Sequence, residues 1–222
     1  MEPIYLDNNA TTRCDPAVVE AMLPFFTEHF GNASSIHAFG SEVGKALKKA
    51  RSQIQALLGA EHDSEIIFTS CGTESDSTAI LSALKAQPER NTVITTNVEH
   101  PAILTLCEWL EKEGYIVHKL KVDKKGRIDM DEYKSLLHDR VAIVSVMWAN
   151  NETGTIFPVE EMAELASAKG IMFHTDAVQA VGKIQIDLKS TKIDMLSLSG
   201  HKLHAPKGIG VLYLRRGCRF RP

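Results

Sequence analysis

Hydrophobic and polar positions follow two alternating patterns from residue 65 onward. Short apolar runs predict strands, and the stretches between them carry apolar residues at helical spacing. The predicted strands are 65–69, 92–96, 115–120, 141–147, 171–174, 195–198 and 211–214, and the predicted helices are 73–85, 101–112, 130–137 and 159–168. This alternation is typical of right-handed βαβ units. We therefore expect an α/β domain with a mostly parallel sheet that helices cover on both faces.

The first sixty residues or so have a different pattern. A polar segment at 5–13 predicts a loop after one short strand,. The pair Asp15-Pro16 is a helix start signal, and it predicts a helix at 17–28,. A second helix is predicted at 41–58, with an inward face formed by Val43, Leu47, Ile54, Leu57 and Leu58,.

Composition narrows the class of protein. The chain has 222 residues, of which 44% are hydrophobic and 24% charged, so it can bury a sizeable core,. A net charge of −3 gives no reason to expect nucleic acid or an anionic membrane as partner,. No apolar run approaches the ~20 residues of a membrane span, and the start has no signal-peptide pattern, so we expect a cytoplasmic location. The 4 cysteines are widely spaced, which favours reduced thiols,.

Five polar motifs fall where a predicted strand ends. They are Ser70-Cys-Gly-Thr-Glu74, Asn97-Val-Glu-His-Pro101, Ala149-Asn-Asn-Glu-Thr-Gly154, His174-Thr-Asp-Ala-Val-Gln179 and Ser199-Gly-His-Lys202. Each alone has a structural explanation as a helix cap, a turn or a residue before a proline. Ligands of parallel sheets collect at the carboxyl ends of the strands, so we expect these motifs to meet at one edge.

The residue types in these motifs suggest a cofactor. Lys202 suits either a phosphate contact or a buried amine for Schiff-base chemistry. Gly72-Thr73 precedes a helix, where free N–H groups favour a phosphate, and Asp176 supplies an acid. A lysine, an acid and a phosphate cup match the requirements of pyridoxal phosphate. No dinucleotide-binding or Walker motif is present,.

A metal site is the alternative. His174 and Asp176 would share one strand face, and His100 or His201 could join them. That arrangement leaves the lysine and the Gly-Thr pair without a purpose, so we expect no metal.

Six ordered motifs resemble one enzyme family. They are the five above, in the form Phe68-Thr-Ser-Cys-Gly-Thr-Glu-Ser-Asp76 for the first and Glu99-His-Pro101 for the second, together with Tyr5-Leu-Asp-Asn-Asn-Ala-Thr-Thr12. They closely resemble the cysteine desulfurases of the NifS type, in class V of the fold-type-I pyridoxal-phosphate enzymes. The resemblance runs from Ile4 to the end of the chain. It implies a three-layer α/β large domain over about 16–222, preceded by an N-terminal segment over about 1–15.

The same resemblance implies roles for individual residues. Lys202 would form the Schiff base and carry the Cα proton, with His100 stacking on the ring and shuttling protons. Asp176 would face the ring nitrogen, and Gln179 the ring hydroxyl. The phosphate would be held by Gly72, Thr73, Ser199 and His201, and Asn151 would lie near the ring oxygen and the substrate carboxylate.

The resemblance also implies a reaction and partners. L-cysteine would become L-alanine while its sulfur passes to an enzyme cysteine as a persulfide, and then to an iron–sulfur scaffold protein, for nitrogenase clusters. The enzyme would be a homodimer. Family members are longer, and the further part holds a small domain, the sulfur-accepting cysteine and a substrate-binding arginine, so we expect this chain to be C-terminally truncated.

The cysteines of this chain do not match that sulfur acceptor. Cys71 lies beside the expected phosphate cup, where the chain should be fixed, and Cys107 is expected to be buried. Two other functions stay open: a selenocysteine lyase or other class V aminotransferase, and a catalytically silent module that binds cofactor or partners.

Overall fold

The computed structural model describes residues 3–221, and a seven-stranded sheet forms its centre. The strands are β1 (Ile66–Thr69), β2 (Thr92–Thr96), β3 (Ile116–Leu120), β4 (Val141–Ser145), β5 (Met172–Asp176), β6 (Met195–Ser199) and β7 (Gly210–Leu214). Their spatial order is β1-β7-β6-β5-β4-β2-β3. Strand β7 is antiparallel to both of its neighbours, and the other pairs are parallel.

Helices cover both faces of this sheet. The helices of the described residues are α1 (Pro16–Met22), α2 (Pro24–Thr27), α3 (Ala38–Leu58), α4 (Gly72–Ala86), α5 (Pro101–Lys112), α6 (Met130–Leu136) and α7 (Val159–Ser167). One apolar core cluster includes residues of α4 and α5, and the other includes residues of α6, α7 and the end of α3. The result is a three-layer α/β fold with a mostly parallel sheet, which confirms the predicted fold class.

The central strands are buried throughout because both of their faces are covered. All residues of β4, β5 and β6 are buried. The polar members among them must therefore find partners inside the protein, since an unpaired buried polar group is costly. His174, Asp176 and Ser197 are such residues, and all three belong to the region of the candidate site.

The predicted elements from residue 65 onward all form, with boundaries shifted by a few residues. The predictions for the first sixty residues are partly wrong. No strand forms before residue 16 in the described part of the chain, and the helix predicted at 17–28 is divided at Leu23. Proline at position 24 has no N–H to donate, so it starts a new helix. On α3, Leu47 and Leu57 are exposed, whereas Leu58 is buried.

The strand directions place five strand ends at one edge. Strand β1 runs parallel to β6 because both are antiparallel to β7. The carboxyl ends of β1, β2, β4, β5 and β6 therefore meet at the same side of the sheet. Each of the five polar motifs begins within one of these strands or soon after its end. Among residues 3–221, no helix combines the length and apolar character needed to cross a membrane.

Candidate active site

A cavity of about 640 Å³ lies at this edge of the sheet. Every residue that the sequence singled out for the site lines it: Gly72, Thr73, His100, Asn151, Asp176, Gln179, Ser199, His201 and Lys202. Residues that the sequence did not single out complete the wall: Asp7, Asn9, Ala10, Cys71, Asp76, Met147, Ala149, Glu152 and Val178. The strand-end motifs thus converge as expected.

The N-terminus of α4 forms one end of the cavity. The helix begins at Gly72, and the residue before it, Cys71, makes no side-chain capping hydrogen bond. The first N–H groups of a helix have no partner within it, so this end is suited to an anion. A Cβ at Gly72 would lie 3.1 Å from Val178 Cγ2, so a larger residue would crowd this wall. The hydroxyl groups of Thr73 and Ser199 belong to the same wall.

Lys202 lies just past the end of β6, in a short 3₁₀ turn. Its ammonium donates hydrogen bonds to the carbonyl oxygens of Asn9 and of Ala10, the latter at 2.9 Å. Burial lowers the pKa of this amine, while the negative charges of Asp176 and Asp7 act in the opposite direction. A lowered pKa makes the neutral, nucleophilic amine more accessible.

Asp176 ends β5 and faces the cavity. Its Oδ1 accepts a hydrogen bond of 2.9 Å from the backbone N–H of Val178. Burial raises the pKa of this carboxyl, and the bond from Val178 and the charges of His100 and Lys202 partly offset that rise. A buried acid with one protein hydrogen bond at Oδ1 is ready to accept a further donor or cation from the cavity.

His100 is the N-cap of α5. Its Nδ1 accepts a hydrogen bond of 3.1 Å from the backbone N–H of Ala102. A neutral imidazole has one protonated nitrogen, so here the proton is on Nε2. Nε2 is thus the nitrogen that can give a proton to a ligand.

The two asparagines after β4 have different roles, because one holds a turn and the other lines the cavity. Asn150 is buried, and its Oδ1 accepts hydrogen bonds from the backbone N–H groups of Glu152 and Thr153, which forms the turn. Asn151 lines the cavity instead. Its carbonyl oxygen accepts a hydrogen bond of 3.1 Å from Asn9 Nδ2.

Segment 7–15 closes the cavity from the N-terminal side. Thr12 donates to the carbonyl oxygen of His201 with both its N–H and its hydroxyl, each at 2.9 Å. The Thr11 hydroxyl lies 3.0 Å from His201 Nδ1. His204, which has a left-handed φ of 58°, donates its N–H to the Thr12 hydroxyl. Pairing between segments so far apart along the chain leaves no local pattern from which these contacts could be predicted.

His174 lies beneath the cavity and does not line it. Its Nδ1 is 2.8 Å from Ser145 Oγ and its Nε2 is 2.9 Å from Ser197 Oγ. Burial lowers its pKa to about 3, so the ring is neutral. Both ring nitrogens are occupied, and residues 3–221 contain no group of three His, Cys, Asp or Glu side chains arranged to hold a metal ion.

The thiols lie in different environments. Cys107 is fully buried, as predicted, and burial raises its pKa to about 12. Cys218 packs with its Sγ 3.4 Å from Met172 Sδ. Cys71 lines the cavity, but its backbone is fixed: a Cβ at Gly210 would come within 2.5 Å of the Cys71 carbonyl carbon. The glycine allows β7 to pass this closely.

Comparison with known proteins identifies the family. Residues 4–221 match the family Aminotransferase class-V. The chain belongs to the class V aminotransferases. Among curated members, the cysteine desulfurase NifS of Azotobacter vinelandii is 76% identical over 222 residues, which are 100% of this chain and 55% of that protein. A cysteine desulfurase of Gluconacetobacter diazotrophicus is 67% identical, and 56% of its length is covered. This class V chain thus spans about half the length of the curated relatives it matches.

Solved structures of class V relatives share the fold. A NifS-like protein superposes with a TM-score of 0.95 at 40% identity, over 100% of this chain and 61% of the other. A structure described as SspA in complex with cysteine gives a TM-score of 0.94 at 37% identity, over 99% of this chain and 64% of that one. The class V chain therefore has the fold-type-I large-domain architecture that its motifs predict.

Proposed function

We propose that this chain is the cofactor-binding part of a pyridoxal-phosphate-dependent cysteine desulfurase of the NifS type. The observation that carries the proposal is the arrangement of three groups around one cavity. The Lys202 amine has a lowered pKa, the buried Asp176 carboxyl faces the cavity, and the uncapped N-terminus of α4 lies at Gly72. Identity of 76% to a protein named cysteine desulfurase NifS supports the substrate class.

The residues present fit pyridoxal phosphate. A phosphate requires N–H and hydroxyl donors, and the start of α4 with Thr73 and Ser199 supplies them,. A cationic ring nitrogen requires a buried acid, and Asp176 is one with few hydrogen bonds of its own,. When bound, the cofactor supplies the electron sink that makes the proton on the substrate Cα acidic.

Three residues that line the cavity then have separate chemical roles. The Lys202 amine would hold the cofactor through its aldehyde, and it would be the base for the Cα proton. Asp176 keeps the ring nitrogen protonated. His100 stacks against the ring and exchanges protons through Nε2, because its Nδ1 is already used as the cap of α5.

The remaining lining residues orient the cofactor and the substrate. Gly72, Thr73, Ser199 and His201 hold the phosphate. Gln179 would donate to the ring hydroxyl, and Asn151 would lie near the ring oxygen and the substrate carboxylate.

The proposed reaction converts L-cysteine and an enzyme thiol to L-alanine and an enzyme persulfide. The substrate C–S bond breaks, the sulfur joins the thiol sulfur, and a proton replaces it on the substrate carbon. The persulfide sulfur would pass to an iron–sulfur scaffold protein, for nitrogenase cluster assembly in the cytoplasm.

A homodimer is part of the proposal. Large apolar side chains near the N-terminus are strongly exposed: Ile4, Leu6, Phe26, Phe30, Ile36 and Phe39. Exposed apolar side chains in this number are typical of a surface that another protein covers. Sedimentation at increasing concentration tests whether a second copy covers them. A monomer that stays dispersed at all concentrations contradicts the dimer.

Covalent trapping tests the central assignment. The chain is loaded with pyridoxal phosphate, its visible absorbance is recorded, and borohydride followed by peptide mapping locates the attached lysine. We expect the label at Lys202, and we expect Lys202→Ala to bind cofactor without a covalent bond. The matched control is Lys207→Ala, five residues along at an exposed position, which should be labelled normally. A label at another lysine, or none in a folded sample, overturns the proposal.

A further inference from the structure

Three buried carboxyl groups lie near the cavity. Asp76, Glu99 and Asp176 are exposed by 1%, 4% and 6% respectively. Within residues 3–221, none of the three forms a salt bridge with a lysine or an arginine. Neighbouring buried carboxylates without a cation cannot all be ionised, so protons must be distributed among them.

Hydrogen bonds favour the charged form of Asp176. Its Oδ1 accepts the N–H of Val178, and the charge of Lys202 acts in the same direction, against the rise in pKa that burial causes. Bonds donated to a carboxylate and nearby positive groups both stabilise the anion. Glu99 has its own donors: Met147 N–H at 3.0 Å from each carboxylate oxygen, and the Thr96 hydroxyl at 2.7 Å.

Asp76 has less support. It lies in the second turn of α4, lines the cavity, and its Oδ1 has no hydrogen-bond partner. The nearest ring nitrogen, His174 Nε2, is 3.6 Å away, and that ring is neutral. Ser197 donates to the Asp76 carboxyl, but this single bond is outweighed by burial and by the charge of Asp176, so the pKa of Asp76 rises well above its usual value.

The groups that face Asp76 come from each neighbouring element. They are Cys71 at the start of its own helix, Glu99 before α5, His174 and Asp176 on β5, and Ser197 on β6. The acids among them make ionisation of Asp76 less favourable. Burial keeps the histidine neutral, and both of its ring nitrogens contact serine hydroxyls, so it supplies no compensating charge.

We propose that Asp76 is a positioning residue for Asp176: it stands in the cavity wall as an uncharged carboxylic acid, so that the negative charge of the pair stays on Asp176. A second anion at this place would disfavour the charge on Asp176. An uncharged Asp76 leaves Asp176 as the acid that a cationic ring nitrogen meets. The inference rests on the proposed function only in what it says of the cofactor; the charge state belongs to the chain itself.

The direct test needs no cofactor. The chain is labelled with ¹³C at aspartate side-chain carboxyls, so that Glu99 is silent, and its NMR spectrum is recorded at pH 7. We expect one aspartate resonance with the shift of a protonated acid. It should vanish in Asp76→Asn and persist in Asp176→Asn. The matched control is Asp194→Asn, since Asp194 is a mostly buried aspartate that accepts from Phe173 N–H and faces Arg215. Loss of the resonance in Asp176→Asn alone, or a spectrum without a protonated aspartate, overturns the proposal.

The melting temperature of Asp76→Asn provides a second test of the proposal. Because the pKa of Asp76 is raised in the folded chain, the unfolded state loses its proton first as pH rises, and stability falls above the unfolded pKa of ~4. Asp76→Asn removes this loss. We expect the variant to melt higher than the parent at pH 7, and the gain to disappear at pH 4. A variant that melts lower than the parent at pH 7, with the labelled resonance unchanged, contradicts the proposal.

Cofactor binding separates this inference from the proposed function. The dissociation constant of pyridoxal phosphate is measured in a Lys202→Ala background, where no covalent bond contributes. We expect Asp76→Asn to stay within about threefold of its parent and Asp176→Asn to bind about tenfold or more weakly, the loss of one charge-assisted hydrogen bond. Equal weakening by both variants overturns the role of Asp76. Absence of any binding in a folded parent overturns the proposed function and leaves the labelled spectrum to decide on Asp76.

Discussion

The Lys183 ammonium nitrogen lies 2.7 Å from Gln179 Oε1, and this contact determines which way the Gln179 amide faces. A lysine only donates hydrogen bonds, so the atom beside it must be the amide oxygen. The NH₂ group then points away from Lys183, and it donates to the carbonyl oxygen of Asn9 at 2.9 Å. Gln179 therefore offers a hydrogen-bond donor on the cavity side.

Lys183→Met should weaken cofactor binding by about threefold to tenfold, the value of one hydrogen bond that orders a ligand contact. The amide oxygen would lose its partner, and only the bond from Nε2 to the Asn9 carbonyl oxygen would then hold the amide in this orientation. The measurement is the dissociation constant of pyridoxal phosphate together with the visible spectrum. Lys189→Met is the control, because Lys189 is an exposed lysine beside Asp187. Identical binding by both variants would show that the orientation of Gln179 does not depend on Lys183.

Asp176→Asn and His174→Asn should have different effects on the cofactor spectrum, although the two residues share one face of β5. Asparagine cannot hold a ring nitrogen protonated, so Asp176→Asn should shift the cofactor spectrum and suppress exchange of the Cα proton. His174→Asn breaks two buried serine contacts and should cost about 1 to 3 kcal/mol of unfolding free energy with little spectral change. Spectra and Cα exchange are recorded for both. Equal spectral effects would count against the assignment of Asp176 and favour the metal alternative.

The pH dependence of the unfolding free energy should show that His174 is neutral in the folded protein. Its pKa falls from the ordinary value of 6.5 to about 3 because burial disfavours the charged ring. The unfolded state therefore gains a proton first as pH falls, and the stabilisation present above pH ~6.5 is lost toward acid. The slope approaches ~1.4 kcal/mol per pH unit for this one proton.

Denaturant titrations of the parent and of His174→Asn between pH 7 and pH 4 measure that slope. Asp76 and Glu99 are present in both proteins, so their opposite contributions cancel in the difference. The difference in unfolding free energy should shrink as pH falls. A difference that stays constant over this range would mean that His174 is not held neutral.

The four thiols predict what the 222-residue chain does by itself. A sulfur acceptor must reach the substrate sulfur and then leave with it, which requires a mobile and exposed thiolate. Cys107 is buried, Cys218 is packed on Met172, and Cys71 is fixed by β7. We expect the purified chain with pyridoxal phosphate to form no more alanine from cysteine than free cofactor does.

An alanine assay beside the full-length Azotobacter vinelandii relative provides the comparison. Turnover by the 222-residue chain that Cys71→Ala abolishes would show that Cys71 accepts sulfur. Turnover that persists in Cys71→Ala would instead indicate Cys14, which is half-buried, as the candidate sulfur acceptor.

The fold and most of the site could be predicted from local patterns. Strand ends are recognisable from a change between apolar and polar residues, and parallel strands bring their ends together. Asp76 was missed, although a signal exists. It shares a helical stripe with Ala79, Ile80 and Ala83, which are all buried, and an acid in an apolar stripe is an anomaly,.

The contributions of segment 7–15 could not be predicted in this way. Asn9 and Ala10 act through their carbonyl oxygens, which every residue has, so residue type carries no signal. The exposure of Leu47 and Leu57 on α3 has a related cause. Helical spacing predicts an apolar face, but it does not say whether the described part of the chain covers that face along its whole length.

The contact between Lys202 and the carbonyl oxygen of Asn9 joins residues 193 positions apart. A ribosome adds about 5 to 20 residues per second. Segment 7–15 thus leaves the ribosome roughly 10 to 40 seconds before the residues that it must pair with. During that interval Ile4 and Leu6, which stay exposed even in the folded chain, have no core to join. The wall that Asn9 and Ala10 form with Lys202 can therefore be completed only after residue 202 has been made.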